Sequence, residues 1–299
     1  MIPFTVIGGY LGAGKTTLLN HILRAAGGRR IALLINDFGE INIDAMLIES
    51  QDGNRINLTN GCICCSLSDG FHGAIETLMT EAPLPDHIVV EASGVADVHT
   101  LAQYGHGPDR QLDGVIVLAD CETIKARIKD KYVGQTIRRQ LAAADVIVAN
   151  KTDLLTDQQS SAVITWLKSE FPAALVYAAQ QGDVPMDLLL GIHNIDKTLP
   201  DDTGHAHFSR WFYNSPLRVT ADSLSRFLEA LDDSVIRLKG TAEQEHNSLV
   251  AQVVGRRREL RPQPDLQTKG LNLVAIGLEN QLNTVELDRL ATDLLEFTD

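Results

Sequence analysis

The sequence carries the octapeptide Gly9-Tyr10-Leu11-Gly12-Ala13-Gly14-Lys15-Thr16 close to its amino terminus. The apolar run Phe4 to Ile7 precedes it, and Thr17 to Leu23 after it has the pattern of an amphipathic helix. A glycine-rich turn between a strand and a helix, ending in lysine and a hydroxyl, is typical of a phosphate-binding loop, whereas a plain turn lacks this order. The backbone N–H groups and the positive helix end would face phosphate oxygens. The predicted nucleotide-binding residues here are Gly9, Gly12, Ala13, Gly14, Lys15, Thr16 and Thr17.

Two of these residues also have a predicted catalytic role. Lys15 should reach the β- and γ-phosphates of a nucleotide, and Thr16 should ligate Mg²⁺. The octapeptide therefore predicts phosphoryl chemistry as well as binding.

The composition of the 299 residues limits the classes of function. With 44% hydrophobic and 22% charged residues, the chain reads as a globular protein long enough for two domains. Its net charge of -13 argues against nucleic acid or an anionic membrane as partner. No apolar run is long enough to span a bilayer, and Phe4 to Ile7 leads straight into the phosphate loop without a signal-peptide pattern. We therefore expect a cytoplasmic protein.

Further apolar runs follow the phosphate loop at regular intervals. The predicted strands lie at Ile31 to Ile35, His87 to Glu91, Asp113 to Asp120 and Val146 to Ala149, with helical patterns between them. Strands that alternate with helices predict an α/β fold with a doubly wound, mostly parallel sheet. In such sheets ligands bind beyond the carboxyl ends of the strands.

Acidic residues stand at two of these strand ends. Asp37 and Glu40 lie in Asn36-Asp37-Phe38-Gly39-Glu40, which makes them candidates for a metal and switch shell; an acidic turn closed by Gly39 is the alternative. Glu91 ends the next strand, where it would order Mg²⁺ or its waters. Gly94 would bring a backbone N–H near the γ-phosphate.

The tetrapeptide Asn150-Lys151-Thr152-Asp153 follows the strand at Val146 to Ala149. Asp153 can accept hydrogen bonds from the ring N1–H and the exocyclic amine of guanine, whereas adenine offers no such pair of donors. Asn150 and Lys151 would brace the loop. A polar turn is the alternative, but the position after a buried strand and downstream of a phosphate loop favours guanine recognition.

Three of the four cysteines, Cys62, Cys64 and Cys65, lie within four residues, just before a helical pattern at 69–80. Helix N-termini favour the thiolate, which binds soft cations such as Zn²⁺. A tetrahedral zinc site would need a fourth ligand, for which Glu40, Asp69 and His72 are the candidates. A redox pair and buried, inert cysteines are the alternatives.

The patterning predicts three segments: a phosphate-loop domain at 1–195, a polar linker at 196–207 and a smaller α+β domain at 208–299. In the linker, His205 and His207 could share a metal, although a solvated linker is the simpler interpretation. The second domain shows about four strand patterns and two helix patterns, without a catalytic cluster. Its basic run, Arg256-Arg257-Arg258 with Arg261, is predicted to be a solvated turn.

The motifs of this chain and their order resemble those of the CobW-type GTPases, relatives of the nickel-insertion GTPases. These motifs are the phosphate loop, Asn36 to Glu40, Gly61-Cys62-Ile63-Cys64-Cys65, Glu91-Ala92-Ser93-Gly94 and Asn150 to Asp153. The resemblance extends to the second domain through Arg237-Leu238-Lys239-Gly240. It implies slow GTP hydrolysis, zinc or a similar divalent ion held by Cys62, Cys64 and Cys65, and delivery of that metal to a client protein. The chain departs from the family in having Asp37 where Glu is frequent, and in having only two histidines in its linker.

The expected cofactors are GTP or GDP, Mg²⁺ and Zn²⁺ or another transition metal, and the expected partner is a client metalloprotein; a homodimer is left open. A second hypothesis is a metal- or redox-sensing GTPase switch that binds a partner without transferring metal. A third, an ATP-dependent kinase, is opposed by Asp153.

Overall fold

The computed structural model describes residues 1–26, 28–35, 55–57, 69–80, 82–191, 208–244, 247–263, 266, 268–278 and 281–296. Contacts divide the chain into two compact units, Met1–Leu190 and Gly191–Asp299. The predicted linker at 196–207 lies outside the described residues, so the predicted domain limits stay predictions. Among the described helices, none has the length and apolar character that crossing a bilayer requires.

The described part of the first unit contains a seven-stranded sheet. Its strands are β1 (Ile2–Gly9), β2 (Ile31–Ile35), β3 (Arg55–Asn57), β4 (His87–Glu91), β5 (Arg110–Asp120), β6 (Val146–Asn150) and β7 (Leu175–Ala178). They lie in the order β3-β2-β4-β1-β5-β6-β7, and every neighbouring pair is parallel. Strands such as β6 are buried along their whole length, as expected where helices cover both faces of a parallel sheet.

Helices connect these strands. They are α1 (Lys15–Arg24), α2 (Asp69–Thr80), α3 (Val98–Gln103), α4 (Ile124–Arg127), α5 (Gly134–Ala142), α6 (Asp157–Glu170) and α7 (Met186–Leu189). Helix α1 buries Lys15, Leu18, Leu19 and Ile22, which is the spacing of a single helix face. Helix α6 starts with a capping box, in which Thr156 and Gln159 satisfy each other's backbone N–H groups.

The register of the sheet brings polar residues at the carboxyl ends of its strands together. Glu91, the last residue of β4, pairs with Ile7 on one side and with Ile35 on the other. Asp120, the last residue of β5, pairs with Asn150, the last residue of β6. The loops that leave these strands therefore start side by side, next to the phosphate loop.

The second unit contains a five-stranded antiparallel sheet in its described part. Its strands are β8 (Phe208–Ser215), β9 (Arg237–Glu243), β10 (Ser248–Val254), β11 (Arg257–Gln263) and β12 (Leu271–Leu278), in the order β11-β10-β9-β12-β8. Helices α8 (Ala221–Ala230) and α9 (Thr284–Ala291) accompany it, and a π-helical turn at Thr292–Glu296 follows α9. The predicted class, a doubly wound α/β sheet followed by an α+β domain, is confirmed.

One prediction for the second unit was wrong. The basic run was predicted to be a solvated turn, but only Arg256 lies in the turn, and Arg257 begins strand β11, which pairs with β10 along its whole length. The strand tolerates its charges because they find partners. Arg257 forms an ion pair with Glu259, and Arg258 donates to the carbonyls of Leu228 and Leu231 at 2.7 and 2.8 Å.

Each unit contains one of the two tryptophans. Trp166 on α6 packs edge-on against Phe171, with ring centroids 6.5 Å apart. Trp211 on β8 is buried, and its Nε1 donates to Asp288 Oδ1 at 2.7 Å.

Candidate functional site

The phosphate loop has a backbone that only glycine adopts readily. Gly9, Gly12 and Gly14 have φ angles of 135°, 78° and 103°, all in the left-handed half of conformational space. A Cβ on Gly14 would also collide with the side chain of Asn150. Lys15 is buried, and its Nζ donates to the carbonyl of Gly9 at 3.1 Å, so the lysine closes over the start of its own loop. The loop is thus a formed cradle for phosphate oxygens.

Thr16 and Thr17 continue the loop into α1. Thr16, the second residue of the helix, is half-buried, whereas Thr17 is exposed. A hydroxyl at the first turn of this helix is the group expected to ligate Mg²⁺.

Asn150 connects three loops. Its side chain is buried; Nδ2 donates to the carbonyl of Ala13 at 2.9 Å, and Oδ1 accepts from the N–H of Gly182, also at 2.9 Å. The amide therefore ties the end of β6 to the phosphate loop and to the loop after β7. Its predicted bracing role stays a prediction, and these contacts support it.

Lys151 and Asp153 follow Asn150 on a short turn. Lys151 has a left-handed backbone with φ 64°, and its Nζ contacts Asp120 Oδ2 at 2.8 Å. Asp153 lies exposed on the 3-10 turn Thr152–Leu154, where its carboxylate can accept hydrogen bonds from a ligand. This arrangement suits a lysine stem that lies over a base and a carboxylate that reads the base edge.

The loop after β7 is a wall of this site that the sequence analysis did not identify. Thr152 donates to the carbonyl of Ala179 through its N–H at 3.2 Å and through Oγ1 at 3.0 Å. Gln181 and Gly182 have φ angles of 50° and 68°, and a Cβ on Gly182 would lie 3.0 Å from the nitrogen of Leu18. The pair Gln181-Gly182 after a strand was the available signal, because glycine in that position indicates a tight turn.

Asp120 was also missed, since it looked like the end of an ordinary strand. Besides its contact with Lys151, its Oδ1 accepts from the N–H of Glu122 at 3.0 Å, which fixes the carboxylate. The neighbouring Cys121 is buried, and burial, followed by the charge of Asp120, raises the pKa of its thiol to about 11. The Cys121 thiol is therefore protonated at neutral pH and belongs to the apolar core of the first unit.

The turn after β4 approaches the phosphate loop from the other side. Glu91 is buried at 2% exposure, next to β1. A Cβ on Gly94 would lie 2.8 Å from Leu11 Cγ and 3.0 Å from Leu11 N, so glycine is needed for this close approach. Gln140 on α5 donates to two carbonyls of this turn, a contact that no spacing in the sequence revealed.

The predicted metal ligands lie mostly beyond the described part of the chain. This applies to Asp37, Glu40, Cys62, Cys64, Cys65, His205 and His207. Asp69 is the first residue of α2, and His72 on that helix contacts Glu76 at 3.1 Å on an exposed face. Within the described ranges, no three His, Cys, Asp or Glu side chains are grouped so that they could hold a metal.

Comparison with known proteins adds to this geometry. The CobW/HypB/UreG nucleotide-binding domain matches residues 3–177, and the carboxy-terminal domain of the cobalamin synthesis protein CobW matches residues 208–295. Zinc chaperone CobW from Sinorhizobium sp is 30% identical over 93% of both chains. Zinc chaperone YjiA from Escherichia coli is 32% identical over 85% of this chain and 86% of its own. The crystal structure of Zn(II)-bound YjiA GTPase from E. coli covers 98% of both chains at 25% identity, with a TM-score of 0.48.

Proposed function

This chain belongs to the CobW/HypB/UreG family, and we propose that it uses GTP hydrolysis to control the binding of zinc and its delivery to a client metalloprotein. The family inferred from the motifs is confirmed by the match over residues 3–177, more than half of the chain. The expected class, a CobW-type GTPase metallochaperone, is confirmed with it. The metal, its ligands and the client are the proposed part.

The main observation that supports a nucleotide site is the bridge that Asn150 forms between loops through two side-chain hydrogen bonds. One buried amide holds the phosphate loop, the turn with Asp153 and the loop after β7 in a fixed relation. A site that recognises base and phosphates together needs this fixed distance between its two ends. The bridge supports a nucleotide as the ligand, and the proposed recognition of guanine by Asp153 selects GTP.

The catalytic half of the proposal rests on Lys15, Thr16, Asp37 and Glu91. Lys15 neutralises charge on the β- and γ-phosphates. The hydroxyl of Thr16 and the carboxylate of Glu91 are hard oxygen donors, so they fit Mg²⁺ or its waters. Thr16 lies directly after the phosphate loop, and Glu91 pairs with Ile7 on β1, the strand that leads into that loop. Mg²⁺ would supply charge neutralisation at the transferring phosphoryl group. Asp37 follows β2 by two residues and is proposed for the same shell.

The sheet also supports a link between the nucleotide and the proposed zinc ligands. Strands β3 and β4 flank β2 and end at the same edge, where Asn57 and Glu91 both pair with Ile35. Strands lie about 4.8 Å apart, so these two ends are separated by about 10 Å. Five residues lead from Asn57 to Cys62, a chain length of at most about 18 Å. The length of this connection therefore allows the proposed coupling between the cysteine cluster and the γ-phosphate.

Zinc is the cargo in this proposal, held by the thiolates of Cys62, Cys64 and Cys65 with Glu40 as a fourth ligand in one nucleotide state. The names of the relatives support zinc, and the softness of thiolates is consistent with it. Closely spaced free thiols also require a reducing compartment, which supports a cytoplasmic location.

The test is a zinc titration against a competing chelator, run with GDP and with a non-hydrolysable GTP analogue. Zinc affinity should differ between the two states by about 5- to 150-fold, the usual range of coupling between two sites. Cys64→Ser should weaken zinc binding strongly. Cys121→Ser is the matched control and should leave zinc binding unchanged, because Cys121 is buried in the apolar core of the first unit.

Equal zinc affinity in the two nucleotide states would overturn the coupled function. A Cys64→Ser protein that still binds one zinc as tightly as its parent would remove the cysteine cluster from the proposal. Coupled binding without transfer to any apo-metalloprotein would favour the sensor hypothesis over the chaperone.

A further inference from the structure

Gln140 is a polar side chain on the buried face of α5. That face contains Ile137, Gln140 and Leu141, and Gln140 itself is only 2% exposed. Burying an amide among apolar side chains is unfavourable unless its hydrogen bonds are made. Gln140 makes them to the turn that follows β4.

The amide nitrogen of Gln140 donates to two carbonyls of this turn. Nε2 lies 2.8 Å from the oxygen of Ala96 and 3.3 Å from the oxygen of Gly94. The turn is also closed on itself, since the N–H of Ala96 donates to the carbonyl of Ser93 at 3.0 Å. Gln140 therefore holds the turn as one unit, although the two carbonyls that it contacts lie 46 and 44 positions before it in the sequence.

The same turn packs directly against the phosphate loop. Gly94 approaches Leu11 so closely that a Cβ would lie 3.0 Å from the Leu11 nitrogen. The distance between Gly94 and the phosphate loop decides whether the N–H of Gly94 can reach a γ-phosphate. A shift of the turn by about 1 Å is enough to break a hydrogen bond, because well-formed N–H···O bonds occupy a range of donor–acceptor distances only about 0.5 Å wide.

We propose that Gln140 is a positioning residue for the γ-phosphate, which holds the turn at residues 93–96 against the phosphate loop and so favours GTP over GDP. This inference rests on the proposed GTP site and on the assignment of Gly94 to the γ-phosphate. Gln140 touches no nucleotide itself and acts through the backbone of the turn. GDP lacks the group that this turn contacts, so its affinity is independent of Gln140.

The experiment measures the affinities of GDP and of a non-hydrolysable GTP analogue by calorimetry for the parent, Gln140→Leu and Ile137→Val. Gln140→Leu keeps the volume of the side chain but removes both donors. Binding of the GTP analogue should weaken about tenfold, the value of a typical hydrogen bond, while that of GDP changes less than about twofold. Ile137→Val removes one methyl group from the same buried face and should leave the affinity ratio unchanged.

Equal weakening of GDP and GTP-analogue binding in Gln140→Leu, or no weakening of either, would overturn the inference. A changed ratio in Ile137→Val would do the same, because helix packing would then explain the effect. A second measurement uses the unmodified protein and does not depend on the folding of a variant. Hydrogen exchange of the amides at residues 94–96 should be slower with the GTP analogue than with GDP, and equal rates would overturn the inference.

The result is distinguishable from a failure of the proposed function. If the parent binds ATP as tightly as GTP, the guanine site itself is wrong. If the parent prefers GTP to ATP but Gln140→Leu does not alter the ratio of GTP-analogue to GDP affinity, only the role of Gln140 is wrong.

Discussion

The two ends of the proposed nucleotide site are built differently. At the base end, Asn150 is hydrogen-bonded to two other loops, Lys151 to Asp120 and Thr152 to Ala179. At the γ-phosphate end, the side-chain hydrogen bonds described for the turn at 93–96 come from Gln140. Among the described residues, side-chain hydrogen bonds from several loops therefore hold the base end, whereas those to the turn at 93–96 come from one amide.

This difference matches what each end has to recognise. The base is the same in GTP and GDP, so a preformed pocket reduces the entropic cost of binding both. The γ-phosphate is present in only one of them, so the part that senses it has to have two arrangements of similar free energy. Within the described residues, a turn whose side-chain hydrogen bonds come from one amide suits that requirement, since segments that move in switching come from the less stable parts of a fold.

The largest effect is expected where the two ends meet, at the phosphate loop. Lys15→Ala should reduce GTP hydrolysis by at least about 100-fold, since it removes the cation that stabilises the transferring phosphoryl group. The measurement is phosphate release at saturating GTP. Lys168→Ala, which removes an exposed lysine from α6, is the control and should retain full activity. Retained turnover in Lys15→Ala would mean that another group carries this role.

The base end is tested by Asp153→Ala. The parent should prefer GTP to ATP by at least about tenfold, because adenine leaves the carboxylate without donors, and the variant should lose this preference. Both affinities can be measured by equilibrium dialysis. Asp157→Ala removes the same charge four residues later, at the start of α6, and should keep the preference. Equal affinities in the parent would refute guanine recognition.

A smaller effect is expected from the brace behind the base end. Asp120→Asn keeps the shape of the side chain but removes the charge that holds Lys151, so GTP and GDP should both bind roughly threefold to tenfold more weakly. Asp109→Asn breaks a comparable ion pair, with Arg110 at the opposite end of β5, and should leave both affinities unchanged. A change in the ratio of GTP to GDP affinity in Asp120→Asn would contradict this prediction, because the base end would then also distinguish GTP from GDP.

The parts of the site that the sequence analysis predicted are short, continuous segments of the chain. Residues 9–16 and 150–153 each combine strand, turn and reactive groups in one short run, so their chemistry can be read from spacing. Gln140 and Asp120 act through contacts to residues at least 31 positions away, and each looks ordinary in its own segment. Strand β11 was missed for a related reason, because Arg258 finds its partners, the carbonyls of Leu228 and Leu231, 30 and 27 positions away in sequence.

The placement of one indole in each compact unit has a practical consequence. Trp166 belongs to the first unit and Trp211 to the second, so Trp166→Phe and Trp211→Phe proteins would each emit from one unit alone. Intrinsic fluorescence in urea would then record the unfolding of each unit separately, without an added label. Coincident midpoints in the two proteins would indicate one cooperative transition, and separate midpoints would give each unit its own free energy of unfolding.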